Sequence, residues 1–211
     1  MRARSSNLRS ASLGSVIAMT LFFVSCGGGG TTNKAAPASP VGAVHPSKKA
    51  GGMQTQAPVP ASSNPPGDIP DSTAFVPYVS KPGRFQITIP EGWARRTKPS
   101  QVTFTSKLNE VLLQWGPRSS AKAEITALGR KAPAFQLEKT SKVTLPGGPA
   151  TLLQYQENSK PNAVTGQQYR LERLQFDFVR GSREVALTLS STVGSDNVDA
   201  WRTISESFRW K

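Results

Sequence analysis

The one thiol in this 211-residue chain is Cys26 and the one imidazole is His45. Neither falls within 72–211, the stretch whose patterning reads as a folded domain. A Ser-His-Asp triad and a Cys-His pair therefore cannot be assembled there, and a zinc site built from nitrogen and sulfur ligands is excluded for the same reason. Phosphate cradles are missing as well: Gly147-Gly148 stands between two prolines, and neither a P-loop nor G-x-G-x-x-G occurs. The remaining acid–base groups are carboxylates, scattered through the domain and including Glu172, Asp177, Asp196, Asp199 and Glu206. Glu172 and Asp177 differ in parity along one strand-like run, so each is expected to be solvated or salt-bridged rather than paired for catalysis. Asp196 reads as a helix cap and Asp199 as a first-turn acid favoured by the helix dipole. No spacing of these acids resembles a metal loop, and no metal or other cofactor is implied.

Charge and aromatic rings offer binding chemistry instead. Residues 72–211 hold twenty Lys and Arg against eleven Asp and Glu, a formal net charge of +9. Such an excess attracts polyanions through its summed potential. The densest basic run, Arg95, Arg96 and Lys98, follows Trp93 and is the candidate polyanion-binding patch. Arg170, Arg173, Arg180 and Arg183 lie along a later hairpin, where solubility alone would also explain them. Trp115 and Trp201 fit apolar patterns and read as core, whereas Trp93 and Trp210 are candidate surface aromatics.

The elements that must position these residues begin with a leader. Arg2, Arg4 and Arg9 precede an apolar run, LGSVIAMTLFFVSC from Leu13 to Cys26, as in a secretory signal. Fourteen residues at ~1.5 Å each reach only ~21 Å, short of the ~30 Å hydrocarbon core, so a spanning helix is the weaker reading. Val24-Ser25-Cys26 resembles the end of a bacterial lipobox, in which the cysteine is acylated and becomes the mature N-terminus; Phe23 departs from the usual leucine. A plain signal peptide that happens to contain a cysteine is the alternative. The expected division is therefore a lipoprotein signal peptide over 1–25, a lipidated Cys26 with a Gly/Pro/Ala/Ser-rich linker over 26–71, and one domain over 72–211. The linker has almost no large apolar residue, so it is expected to be disordered and to contribute nothing to the domain's stability. His45, beside Pro46, lies in that linker and reads as an incidental surface residue.

Within the domain, Phe85-Gln-Ile-Thr-Ile89 alternates apolar and polar residues and stops at Pro90-Glu-Gly-Trp93. Val102–Phe104 and Val111–Trp115 suggest a hairpin, as do Phe135–Leu145 and Ala150–Glu157 around Pro146-Gly-Gly-Pro149. Ser119 to Lys131 places Ala121, Ile125 and Leu128 on one helical face. A long strand from about Gln168 to Arg180 changes parity between Leu171 and Leu174, which predicts a bulge near Glu172 and Arg173. Gly181-Ser182 then turns the chain into Glu184–Ser191. A closing helix capped by Ser195 or Asp196 carries Val198, Trp201, Ile204, Ser205 and Phe208 on one stripe. The fold class that follows is α+β: an antiparallel sheet of six or so strands, a short middle helix and a packed C-terminal helix.

The phrase GRFQITIPEGW, the β-rich middle and the ending DAWRTISESFRW resemble the PsbP/DcrB-like lipoproteins of Gram-positive, especially actinobacterial, cell envelopes. The resemblance covers roughly Phe75 to Lys211 and carries no catalytic motif. It implies a PsbP-like sandwich and a non-enzymatic envelope or assembly protein. The expected function is a membrane-anchored, extracytoplasmic, non-catalytic binding or assembly module that recognises an anionic envelope polymer or another envelope protein. Nucleic acid is not expected outside the membrane. The alternative is a carboxylate-dependent enzyme acting on cell-wall glycan, which needs two carboxylates roughly 5 to 10 Å apart in a cleft. Acylation requires the Cys26 thiol, so Cys26→Ser is expected to leave uncleaved or mislocalised precursor without lipid. Mass spectrometry of the N-terminal peptide checks this, and the same lipid-modified peptide from the mutant would refute it.

Overall fold

The computed structural model describes residues 56–211. The expected leader, Cys26 and the linker up to residue 55 lie outside the described residues. In chain order the elements are β1 (Phe75–Ser80), β2 (Phe85–Pro90), β3 (Ala94–Lys98), β4 (Gln101–Ser106), β5 (Asn109–Pro117) and α1 (Ala121–Lys131). They continue as β6 (Gln136–Leu145), β7 (Gly148–Asn158), β8 (Arg170–Arg180), β9 (Arg183–Thr192), α2 (Val198–Ser207) and β10 (Arg209–Trp210). The strands form a small sheet ordered β1-β2-β10 and a large one ordered β3-β4-β5-β9-β8-β7-β6. Every pairing is antiparallel. The α+β class read from the sequence is the class observed.

Alternation sets what each sheet buries. β2 turns Phe85, Ile87 and Ile89 inward, and the large sheet meets them with Val102, Phe104, Val111, Leu113, Phe176, Phe178, Val185, Leu187 and Leu189. α2 packs beside β2 and adds Trp201 and Ile204, while Phe208 follows at its C-cap. Ser207 Oγ accepts the Thr88 N–H at 2.8 Å, fixing the helix to β2. The Pro146-Gly147 turn packs close to this closing segment: a Cβ on Gly147 would lie 2.6 Å from both Phe208 Cδ1 and Phe208 O. Glycine is needed there because that approach leaves no room for a side chain.

Three strands escaped the sequence patterning, for three reasons. β1 shows no clean alternation, and its Val76 and Val79 are exposed. β3, ARRTK, contains no large apolar residue and is exposed throughout. β10 is only two residues long and is strand only because it pairs with β2. The bulge expected in β8 is absent: Arg170 to Arg180 pairs without a shift against both β7 and β9. Its apolar parity changes because Leu171 is buried on one face of the sheet, whereas Leu174, Phe176 and Phe178 lie on the other. The one irregularity in these ladders lies between Leu137 and Lys139 on the exposed edge strand β6.

The expectation of an unpacked linker up to residue 71 is corrected. Ile69 is buried in the core, and its N–H donates to Asn197 Oδ1 at 2.7 Å. Asn109 Nδ2 donates to Gly67 O at 2.6 Å and Thr192 Oγ1 to Pro66 O at 2.6 Å. Asn158 pairs with the backbone of Ala57 and Val59. This segment is polar in composition, yet buried asparagines supply the partners that its backbone needs. The same demand alters the start of α2. Asn197, not Ser195 or Asp196, is its N-cap residue, and its side chain makes no cap bond because it is turned toward the 67–69 segment. Val198, expected on the buried stripe, is 63% exposed. Ile69→Ala should cost about 2 to 4 kcal/mol, as large-to-small core changes do. Denaturant unfolding checks this; no change in midpoint would mean that the segment is the passive tether its composition suggests.

Candidate functional site

Among the described residues, one helix, α1, covers the second face of the large sheet. α1 leaves β5, the third strand of the sheet, and crosses β9, β8 and β7 to reach β6 at the far edge. Ser120 starts it as an N-cap, accepting the Ala123 N–H at 3.2 Å, and Ser119 N–H donates to Glu184 Oε2 at 3.1 Å. None of its residues is buried, so it bridges the sheet without sealing it. Beneath it is a cleft of about 640 Å³, whose lining includes Glu110, Gln114, Leu128, Tyr155, Arg173 and Gln175. Lys131 and Lys160 add positive charge to its wall, and Glu124 on α1 a negative one.

Strand register organises the cleft floor. Glu110, Ser190, Arg173 and Tyr155 form one cross-strand row over β5, β9, β8 and β7, and Leu112, Thr188, Gln175 and Leu153 form the next. Arg173 is the centre of the first row. Its Nη1 donates to Glu110 Oε1 at 3.0 Å, and its Nε lies 2.7 Å from Glu157 Oε1 as an ion pair whose N–H points off the oxygen. Burial disfavours the Arg173 charge, but Glu157, Tyr155 and Glu110 outweigh it and hold the pKa above its ordinary value. Burial raises Glu157, against the pull of Arg173, and raises the Tyr155 hydroxyl well above its usual range. Ser190 Oγ, in the same row, is buried without a hydrogen-bond partner.

Asp177 lies one row beyond Gln175, opposite Ala186. It is neither solvated nor salt-bridged, contrary to expectation: it is buried, and its partner is Gln175 Nε2 at 2.8 Å. Burial pushes its carboxyl up to about 7, with Gln175 opposing and Glu184 and Glu124 adding to the rise. Glu172, on the opposite face, is also raised by burial and by Glu138.

The sequence-predicted residues are distributed rather than gathered. Arg95, Arg96 and Lys98 all lie exposed on edge strand β3, but alternation divides them. Arg95 is opposite Phe104, on the core side, with its guanidinium 5.9 Å from the Tyr78 ring centroid. Arg96 and Lys98 share the cleft-side face, in the rows of Thr103 and Gln101. Trp93 is half-buried against the core and borders a hollow with Tyr78, Arg95 and Phe104. Trp210 is half-buried, edge-on to Phe208 at 5.5 Å. Trp115 and Trp201 contribute to the core as expected. Arg170 and Arg173 are not solvent decoration: Arg170 is buried and donates to Ala134 O, Asn158 Oδ1, Gln136 Oε1 and Gln156 Oε1. Sequence reasoning missed Glu110, Glu157, Tyr155 and Gln175 altogether. Their common signal is a polar residue at every second position of long strands, which patterning assigns to solvent.

No family model and no curated protein matches the chain. Among solved structures it is similar to cyanobacterial PsbP (CyanoP) from Synechocystis sp. PCC 6803, with 12% identity and a TM-score of 0.48 over 69% of this chain and 98% of that one. It is also similar to the Ran-binding protein Mog1p of Saccharomyces cerevisiae, with 8% identity and a TM-score of 0.43 over 66% and 96%. A further neighbour is LpqN of Mycobacterium tuberculosis, a protein involved in cell envelope biogenesis, with 15% identity and a TM-score of 0.35 over 66% and 85%. These are likenesses of architecture, and no residue role passes from them to this chain.

The Asp177 shift has a pH consequence. Its carboxyl is raised from 3.8 to about 7, so the folded state holds the proton more tightly than the unfolded chain does. The cost is absent below about pH 4, grows as pH rises toward 7 and is constant above it. Asp177→Asn keeps an acceptor for Gln175 and removes the charge. It should leave stability unchanged near pH 4 and raise it above pH 7, by at most about 4 kcal/mol. Denaturation midpoints of the two proteins across that range check this; a difference independent of pH would mean that Asp177 does not titrate there.

Proposed function

We propose that this chain is a lipid-anchored, extracytoplasmic module of the cell envelope that binds an acidic glycan strand in the cleft beneath α1 without transforming it. The membrane anchor is the lipid on Cys26. Among the described residues no helix is long and apolar enough to cross a membrane. The observation that carries the binding reading is the state of the cleft's acids: of Glu110, Glu124 and Glu157, the first and last are both engaged by Arg173, which leaves Glu124 without a second free carboxylate to form an acid–base pair. What remains available suits recognition. Amide and hydroxyl groups on the floor can bond sugar hydroxyls, and Lys131 and Lys160 can meet acidic substituents. Arg96 and Lys98, on the same sheet face, extend the attraction along β3.

The second reading, a glycan-cleaving enzyme, draws on the raised carboxyls of Glu157 and Asp177, since a protonated acid near neutral pH is what leaving-group protonation requires. One experiment separates the two. Purified domain is sedimented with isolated cell walls at low and high salt, and the supernatant is assayed for released reducing sugar. Binding should fall with salt, because exposed charges are screened over ~8 Å at physiological ionic strength. It should also fall with Lys131→Glu/Lys160→Glu and with Gln114→Trp, which fills the cleft from an exposed floor position. Sugar release that disappears in Glu157→Gln would favour the enzyme. Binding indifferent to salt and to the cleft variants would favour a protein partner elsewhere on the domain.

A further inference from the structure

A second cationic site lies at the hairpin end of β8 and β9, lined by none of the cleft residues. Arg84, Arg180, Arg183, Trp210 and Lys211 enclose a hollow of about 260 Å³ with no Asp or Glu in its wall. Three chain segments far apart in sequence build it. Arg84 ends the turn between β1 and β2 in a left-handed conformation, φ 56°, and its carbonyl accepts the Lys211 N–H at 2.8 Å. Arg180 and Arg183 flank the Gly181-Ser182 turn and stand directly opposite one another in the ladder. Arg183 Nη2 donates to Pro82 O at 3.1 Å, tying that turn to the first. Trp210 forms the aromatic wall, held in place by its edge contact with Phe208 and by pairing with Phe85.

The charge arrangement is costly unless something offsets it. Like charges opposite each other across a strand pair are destabilising, and here two more cations converge on the same pair. Among the described residues, none of the four has a carboxylate within ion-pair distance. The nearest acid in sequence, Glu184, is on the other sheet face and accepts the Ser119 N–H. Solubility would be served by spreading these charges; four of them around one small hollow with a fixed indole form a receptor for concentrated negative charge. Guanidinium forks match the oxygens of a tetrahedral oxyanion, and a phosphate ester brings up to two charges to four cations. The volume admits one sugar unit, whose ring can lie against the Trp210 face while its phosphate meets the arginines.

We infer that this hollow is a phosphosugar-binding site, taking the phosphate ester of a single hexose unit on Arg84, Arg180, Arg183 and Lys211 with the sugar ring against Trp210. It does not depend on the cleft, so either site can fail alone.

The test is a ¹⁵N-resolved NMR titration of the purified domain at low salt with glucose 1-phosphate, inorganic phosphate and glucose, alongside flotation with phosphatidylglycerol vesicles. Glucose 1-phosphate should produce saturable shifts at the amides of Arg84, Gly181, Ser182 and Lys211 and at the Trp210 indole. Inorganic phosphate should bind the same residues more weakly, and glucose alone should not bind. Arg180→Glu/Lys211→Glu changes two exposed side chains that make no hydrogen bond to the fold, and should weaken glucose 1-phosphate by about tenfold or more, as removal of charge-assisted contacts does. Trp210→Leu should erase the preference for glucose 1-phosphate over phosphate while leaving phosphate binding in place. Three results would overturn the inference: no saturable shift at these amides, shifts equally large at Arg96 and Lys98, or vesicle binding lost in the double variant with no sugar phosphate binding in the wild type. The last would make the hollow part of a membrane-facing surface.

Discussion

Phe208 stacks on Phe178 of the large sheet at 4.1 Å and on Phe85 of the small sheet at 5.8 Å, and its edge supports Trp210. One fully buried ring thus joins both sheets to the end of α2. Stacked and edge-on aromatic pairs contribute about 0.5 to 1.5 kcal/mol each beyond their buried area, so this cluster is a concentrated source of stability. Its geometry reaches further than its energy. Gly147 must lack a side chain because Phe208 is there, and β10 meets β2 because the chain leaves the ring in that direction.

Once that core is closed, the large sheet has spent most of its apolar residues on one face. The other face cannot be left to water alone, because α1 crosses it on the way to β6, and it cannot be packed as a wholly apolar core, because Leu112, Leu153, Tyr155 and Leu171 share it with Glu110, Gln114, Arg173, Gln175, Asp177, Thr188 and Ser190. The solution is a polar row in which one guanidinium is shared by two carboxylates. Desolvating such a group costs several kcal/mol, which its partners must offset. Arg173 is therefore held by geometry that the strands fix, and the cleft inherits a floor with oriented hydrogen-bonding groups.

The distribution of charge follows from the same topology. Buried arginines are matched to partners, Arg173 to two acids and Arg170 to four neutral acceptors. Among the other cations, three groups stand at β3, the cleft wall and the hairpin end around Trp210. Sheet edges gain from such residues because charge opposes edge-to-edge pairing. A receptor for anions requires more, namely several cations held around one volume, and this occurs where two turns and the segment after α2 meet.

By itself the sequence determined what depends on local pattern. Period-two alternation placed β2, β4 and β9, hairpin spacing and the Pro146-Gly-Gly-Pro149 turn placed β5, β6 and β7, the helical stripe placed Trp201, Ile204 and Phe208, and the absence of histidine and cysteine from 72–211 excluded whole classes of chemistry. Cys26 and its apolar run were likewise readable only there. Tertiary structure decided whatever depends on which strands become neighbours. It put Glu110 and Glu157, on strands separated in sequence by α1 and β6, on one arginine. It divided Arg95 from Arg96 and Lys98, adjacent in sequence, because successive side chains of a strand point to opposite faces. It drew Ile69 into the core, since a polar segment packs when buried asparagines satisfy its backbone. It also placed Arg84, Arg183 and Trp210 around one hollow, because sheet order, which no local period encodes, determines which turns share an end of the sandwich.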